Sequence, residues 1–193
     1  MSSFATVAPL PFPKEGVTVS FLQEFVDRYC GSRAAIENLS TTDICNKFVK
    51  PATAAIQGSF TDLLLAEGHV ARGQATVFIS HAWRYKFLDV IDAIENHFKD
   101  TPDRVIYFDL FSNNQHLAVN FDFNWWSNTF KTAIQQFSHT VMVLAPWGNP
   151  IPLTRGWCLF ELYCTSTTGS KFEVAMSSHE REHFLTCLTT DGI

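Results

Sequence analysis

No run of lysine or arginine occurs in the 193 residues, and the net charge is −5. Contact with a phosphate backbone needs clustered positive charge, so nucleic acid is not an expected partner. Uncharged apolar stretches stay short of the roughly 18 residues that a bilayer-spanning helix requires. Met1–Pro13 has neither a cationic start nor a long apolar core. The expectation is a chain without a membrane partner, in the cytoplasm. Cysteine is sparse: Cys30, Cys45, Cys158, Cys164 and Cys187 are odd in number and never form a C-x-x-C pair. Reduced thiols are expected, with no disulfide framework and no zinc site. His179 and His183 stand four apart without a third ligand near them, so no metal is expected there. Also missing are G-x-G-x-x-G, G-x-x-x-x-G-K-[ST] and G-x-S-x-G, which removes the main support for dinucleotide-binding Rossmann, P-loop and α/β-hydrolase chemistry.

What is present is apolar material, 46% of residues, with 14% aromatic, enough for a sizeable core. Its periodicity changes along the chain. Phe21, Leu22, Phe25, Val26 and Tyr29 recur at three- and four-residue steps, the stripe of an amphipathic helix over Val19–Cys30. Ser40, Thr41 and Thr42 offer caps for a second helix, with Pro51 expected to break or kink it, and Thr53–Leu65 continues the helical texture. Residues 1–73 therefore predict a helical N-terminal extension, and Glu67–Gln74 a connection.

From Thr76 the pattern alternates. Thr76–Ser80 is a short apolar run suited to a strand covered on both faces, Val105–Phe108 reads as the next strand, Val141–Leu144 as a third, buried one, and Phe172–Met176 as a fourth, weaker strand. Helical stripes fall between and after them: Leu88 to Phe98, Trp125 to Phe137, Trp157 to Cys164 and Glu180 to Leu188. Such alternation predicts right-handed crossovers and an α/β domain with a parallel sheet over residues 74–193. Ligands of such sheets sit beyond the carboxyl ends of the strands, which selects Ser80–Arg84, Asp109–Asn120 and Ala145–Glu161 as the functional rim.

Two segments of that rim carry a family resemblance. Val77-Phe78-Ile79-Ser80-His81-Ala82-Trp83 resembles the first strand and turn of Toll/interleukin-1 receptor (TIR) domains. Thr154-Arg155-Gly156-Trp157-Cys158-Leu159-Phe160-Glu161-Leu162 is similar to the Trp-Cys-Leu-x-Glu-Leu segment of plant-type TIR domains. The resemblance covers about half of the chain, from Thr76 to Ser177. It implies a flavodoxin-like parallel sheet of four to five strands with helices on both faces; a last strand is not evident in the sequence, so the expectation is either a four-stranded sheet or an N-terminal fragment of a longer chain. It also implies one of two functions. The first is cleavage of the nicotinamide–ribose bond of NAD, giving nicotinamide and ADP-ribose or a cyclic isomer, with NAD as substrate and no cofactor. The second is non-catalytic docking, through self-association or binding to other TIR domains in signalling or innate immunity.

In TIR domains that act on NAD the catalytic residue is the glutamate of this segment, which corresponds to Glu161. A carboxylate beside the ribose stabilises an oxocarbenium-like state. Trp157, four positions earlier, shares a helix face with Glu161 and can stack on a flat base. The resemblance further implies His81, Trp83 and Arg84 around the ligand, with Arg84 suited to a pyrophosphate, and Asp109 at the loop bordering the site. Asn113, Asn114, Gln115 and His116 make that loop polar. The aromatic group Phe121, Phe123, Trp125 and Trp126 then serves either as an interaction patch or as core.

Overall fold

The computed structural model describes residues 13–117 and 123–190. Its strands are β1 (Glu15–Thr18), β2 (Arg72–Gln74), β3 (Val77–Ser80), β4 (Val105–Tyr107), β5 (His139–Val143) and β6 (Lys171–Ala175). They form one sheet in the order β2-β1-β4-β3-β5-β6. The four from β3 onward are parallel, with Val77 opposite Ile106, Ile79 opposite Val141, and Val141 opposite Glu173. These are the four strands expected from the sequence, joined by crossovers through α5 (Phe87–His97), then α6 (Asp109–Ser112) with α7 (Phe123–Phe137), then α8 (Gly156–Thr167). A terminal helix, α9 (Ser178–Thr190), follows β6. The architecture is a mostly parallel α/β sheet, consistent with the flavodoxin-like class in general.

Two features correct the expectation. The sheet has six strands, not four to five, and residues 1–73 do not form a purely helical extension. β1 pairs antiparallel with both β2 and β4, so the N-terminal part completes the sheet on the β4 edge. The sequence hides β1 because Glu-Gly-Val-Thr has four residues and a single large apolar side chain, too little to display a period of two. Its glycine is required. A Cβ on Gly16 would lie 2.1 Å from the Ile106 carbonyl oxygen, a distance no side chain tolerates.

Helices of the N-terminal part pack on the same sheet. α1 (Phe21–Phe25) runs on as a π-helix, Val26–Cys30. α2 (Thr41–Ile44) starts at a capping box between Ser40 and Asp43, and α4 (Phe60–Ala66) at another between Ser59 and Asp62. Between them, π-helical Cys45–Val49 leads into α3 (Lys50–Thr53). Pro51 therefore does not end the helix. It sits in the first turn after a register shift, where its missing N–H breaks no α-helical bond.

Alternation along β3 assigns the two faces. Val77 and Ile79 belong to the larger apolar core with α1, α2, α4 and α5, whereas Phe78 joins Tyr107, Phe130, Ile134 and Phe137 on the other side. In the larger core, Phe25 and Phe60 approach Phe111 with ring centroids at 4.8 and 5.3 Å. Each fully buried phenylalanine contributes about 1.5–3 kcal/mol, so residues on either side of position 73 stabilise one another directly. Among the described residues no helix is long and apolar enough to cross a membrane.

Candidate active site

A cavity of about 390 Å³ opens at the carboxyl ends of β3 and β4. That is within the range of small-molecule sites, roughly 300–1,000 Å³. Its walls come from several places in the chain, Trp126 and Phe130 of α7 among them. The turn after β3 supplies His81 and Trp83, the start of α6 supplies Asp109, and the beginning of α8 supplies Arg155, Trp157, Cys158 and Glu161. A further wall, Thr42, Cys45, Asn46 and Lys50, belongs to the N-terminal helical run.

Glu161 lies one turn after Trp157 on α8 and is buried, 8% exposed. Ser80, the last residue of β3, donates its hydroxyl to the Glu161 Oε2 atom. Burial pushes the carboxyl up to about 8; Ser80's hydrogen bond and Arg155 oppose that rise, and Asp109 adds to it. Burial thus favours the neutral acid of Glu161 over its carboxylate. The same helix anchors to the first turn through Cys158, whose thiol faces the His81 carbonyl at 3.6 Å and is itself raised to about 12 by burial.

Asp109 is held by a 2.7 Å hydrogen bond from Trp83 Nε1 to its Oδ2. Its side chain keeps 17% exposure, and burial raises it to about 6 against the pull of the Trp83 and Leu110 N–H groups. His81, with a side chain 1% exposed, lies with Nδ1 3.9 Å from Asp109 Oδ1, too far for a hydrogen bond. Burial and then Arg155 lower it to about 3, so the imidazole is neutral. His81 Nε2 and Asp109 Oδ1 are both buried with no hydrogen-bond partner among the described residues.

The residues singled out from sequence thus divide. Glu161, Trp157, His81, Trp83 and Asp109 come together around one cavity. Arg84 does not: it is exposed and outside the cavity wall. The polar loop expected at 112–120 serves structure as well as the site. Asn113 and Gln115 line the cavity, and Gln115 Nε2 donates to the Asp109 carbonyl at 2.8 Å. Asn114 Nδ2 donates to the Gln57 carbonyl at 2.7 Å, and His116 Nε2 meets Thr53 Oγ1 at 2.9 Å, so both tie the loop to the N-terminal part. In the aromatic group, Trp126 lines the cavity. Phe121 and the side chains of Phe123 and Trp125 lie outside the described residues.

Sequence reasoning placed Ser80 on the rim without giving it a role, and missed Lys50 and the remaining N-terminal wall. Ser80 carried a usable signal, a hydroxyl at the last position of an otherwise apolar strand. The N-terminal wall carried none, since its residues reach the site only through tertiary docking. There the Thr42 backbone N–H donates to the Trp83 carbonyl at 3.2 Å, and the Thr41 N–H donates to that of Tyr85 at 3.1 Å. Among the described residues no cluster of three His, Cys, Asp or Glu side chains is placed to hold a metal.

Comparison with family models, with curated proteins and with solved structures found no match to this chain.

Proposed function

We propose that this chain is a TIR-like NAD glycohydrolase, active in the cytoplasm and stimulated by self-association. The observation that carries the reading is the buried Glu161 carboxyl at the strand ends, one turn from the Trp157 indole in a ligand-sized cavity. An acid in that setting is costly to keep unless it is used, and strongly shifted acids concentrate at reactive sites. The likeness of the Trp157–Leu162 segment to plant-type TIR domains supplies the reaction class.

In this reading the cationic nicotinamide ring enters beside Trp157 and its charge draws Glu161 toward the carboxylate form. The glycosidic bond breaks with its electron pair passing to the ring nitrogen, which becomes neutral. The carboxylate stabilises the ribosyl cation left behind. Water then adds to that carbon and releases a proton, giving ADP-ribose. Asp109, the second acid of the cavity, is available to take that proton.

The test is incubation of purified protein with NAD, dilute and at high concentration or under crowding, with assay of free nicotinamide. Release that persists in Glu161→Ala sinks the mechanism. No release in any assembled state favours the alternative, a TIR-type interaction module without turnover.

A further inference from the structure

Two cations line the cavity, which also holds the Asp109 and Glu161 carboxyls; the Arg155 charge acts on Glu161, but neither cation is ion-paired with either acid. Lys50, half-buried at the start of α3, and Arg155, half-buried immediately before α8, take part in no ion pair and no side-chain hydrogen bond among the described residues. In a chain of net charge −5, unpaired cations meeting in one concavity are not explained by general surface charge. A third source of positive potential is adjacent. Arg155 is the N-terminal flanking residue of the twelve-residue helix α8, and no side chain caps that end. The first N–H groups of α8 are thus left for a ligand, with the helix dipole behind them. Gly156, the first helical residue, is exposed, and a side chain there would meet no other part of the described residues within 4 Å.

We propose that Lys50 and Arg155, together with the α8 N-terminus, bind the diphosphate of a nucleotide ligand. The arrangement deepens the NAD-cleaving reading and rests on it for the ligand's identity. It places the anionic middle of a dinucleotide against the cations and leaves the sugar and ring to Glu161 and Trp157. A guanidinium fork suits paired phosphate oxygens and an ammonium acts as a point charge, so the two divide the task. Arg84, the sequence-level candidate for this role, is exposed and outside the cavity wall. One of the two cations therefore comes from the N-terminal part of the chain, which makes that part a component of the binding site.

The experiment is calorimetric titration of the full chain with ADP and, separately, with adenosine, for the unaltered protein and for Lys50→Gln, Arg155→Gln, Lys50→Arg and Glu161→Gln. The expected result is ADP binding that each of the first two substitutions weakens by about tenfold, with weak adenosine binding left unchanged. Lys50→Arg should retain most of the affinity, and Glu161→Gln should bind ADP as the unaltered chain does. Absence of ADP binding, or ADP affinity indifferent to both cations, overturns the proposal. Nicotinamide release from NAD with a KM unmoved by Lys50→Gln and Arg155→Gln overturns it as well. Cation-dependent ADP binding without nicotinamide release under any condition leaves the diphosphate site standing and removes the glycohydrolase reading alone.

Discussion

Ser80 at the end of β3 and Glu161 on α8 share a buried hydrogen bond, donated by the serine hydroxyl to the carboxyl. It joins the first parallel strand to the helix that follows the third, and it is the hydrogen bond that favours ionisation of an acid otherwise disfavoured by burial. Ser80→Ala should therefore push the Glu161 carboxyl above about 8. If the carboxylate is the working form, the rise of kcat with pH moves to higher pH in Ser80→Ala. A pH–rate profile of the two proteins on NAD checks the direction, and an unmoved profile separates Ser80 from the acid.

Folding stability should carry the same acid in its pH dependence. A glutamate raised from its ordinary value near 4.5 to about 8 holds its proton more tightly when folded. Its contribution is complete below about 4.5 and is lost as pH rises through 8, by an amount on the order of a few kcal/mol. Asp109, raised to about 6, acts in the same direction over a lower range. His81, lowered to about 3, acts oppositely: its contribution is present above about 6.5 and is lost as pH falls through 3. Urea unfolding between pH 5 and 9 should show stability declining from pH 5 to about 8 and levelling above it, a decline that Glu161→Gln flattens.

Trp83→Phe should strip Asp109 Oδ2 of its 2.7 Å side-chain hydrogen bond, beside an Oδ1 that has no partner among the described residues. A cost of about 1–3 kcal/mol in stability is expected for a buried acceptor so stranded. Because that bond favours the charged form, the Asp109 carboxyl should also rise further. Carboxyl-detected NMR titration reads the second effect independently of the first.

Phe60→Ala should destabilise the whole chain by about 3–5 kcal/mol. Phe60 packs on Phe111 at 5.3 Å and on Phe25 at the same centroid distance, although Phe111 comes from the parallel half of the sheet. One cooperative transition, shifted as a unit, is the expected result by circular dichroism and tryptophan fluorescence together. Two separable transitions would show that the N-terminal part folds by itself.

Legibility from sequence followed the length of each signal. β3, β4 and β5 announced themselves because each is a largely buried apolar run, and α5 because Val90, Ile91 and Ile94 keep a helical stripe; β6 gave a weaker signal, being an edge strand with Phe172 and Val174 exposed. β1 and β2 did not announce themselves, being four and three residues long with side chains that are small or polar. For the site, residues adjacent in the chain to the strand ends were foreseen, as with His81, Trp83 and Asp109. Lys50 was not, because its place depends on Thr41 and Thr42 docking against the turn after β3, a contact with no local trace. Arg155 stood within the segment quoted for its glutamate, yet only its place in the cavity wall, outside any ion pair among the described residues, separates it from an ordinary surface arginine.

The position of β1 also bears on the order in which the molecule assembles. Its partners are Arg72–Gln74 on one side and Val105–Ile106 on the other, so a strand near the start of the chain must wait for segments synthesised much later. Closing such long loops is entropically costly before any pairing repays it, and it slows folding. During synthesis, the residues around Lys50 emerge well before the strand ends they will cover. The ligand cavity is thus among the last features to exist, and a chain released before β4 has formed would display its phenylalanine cluster to solvent and neighbouring chains.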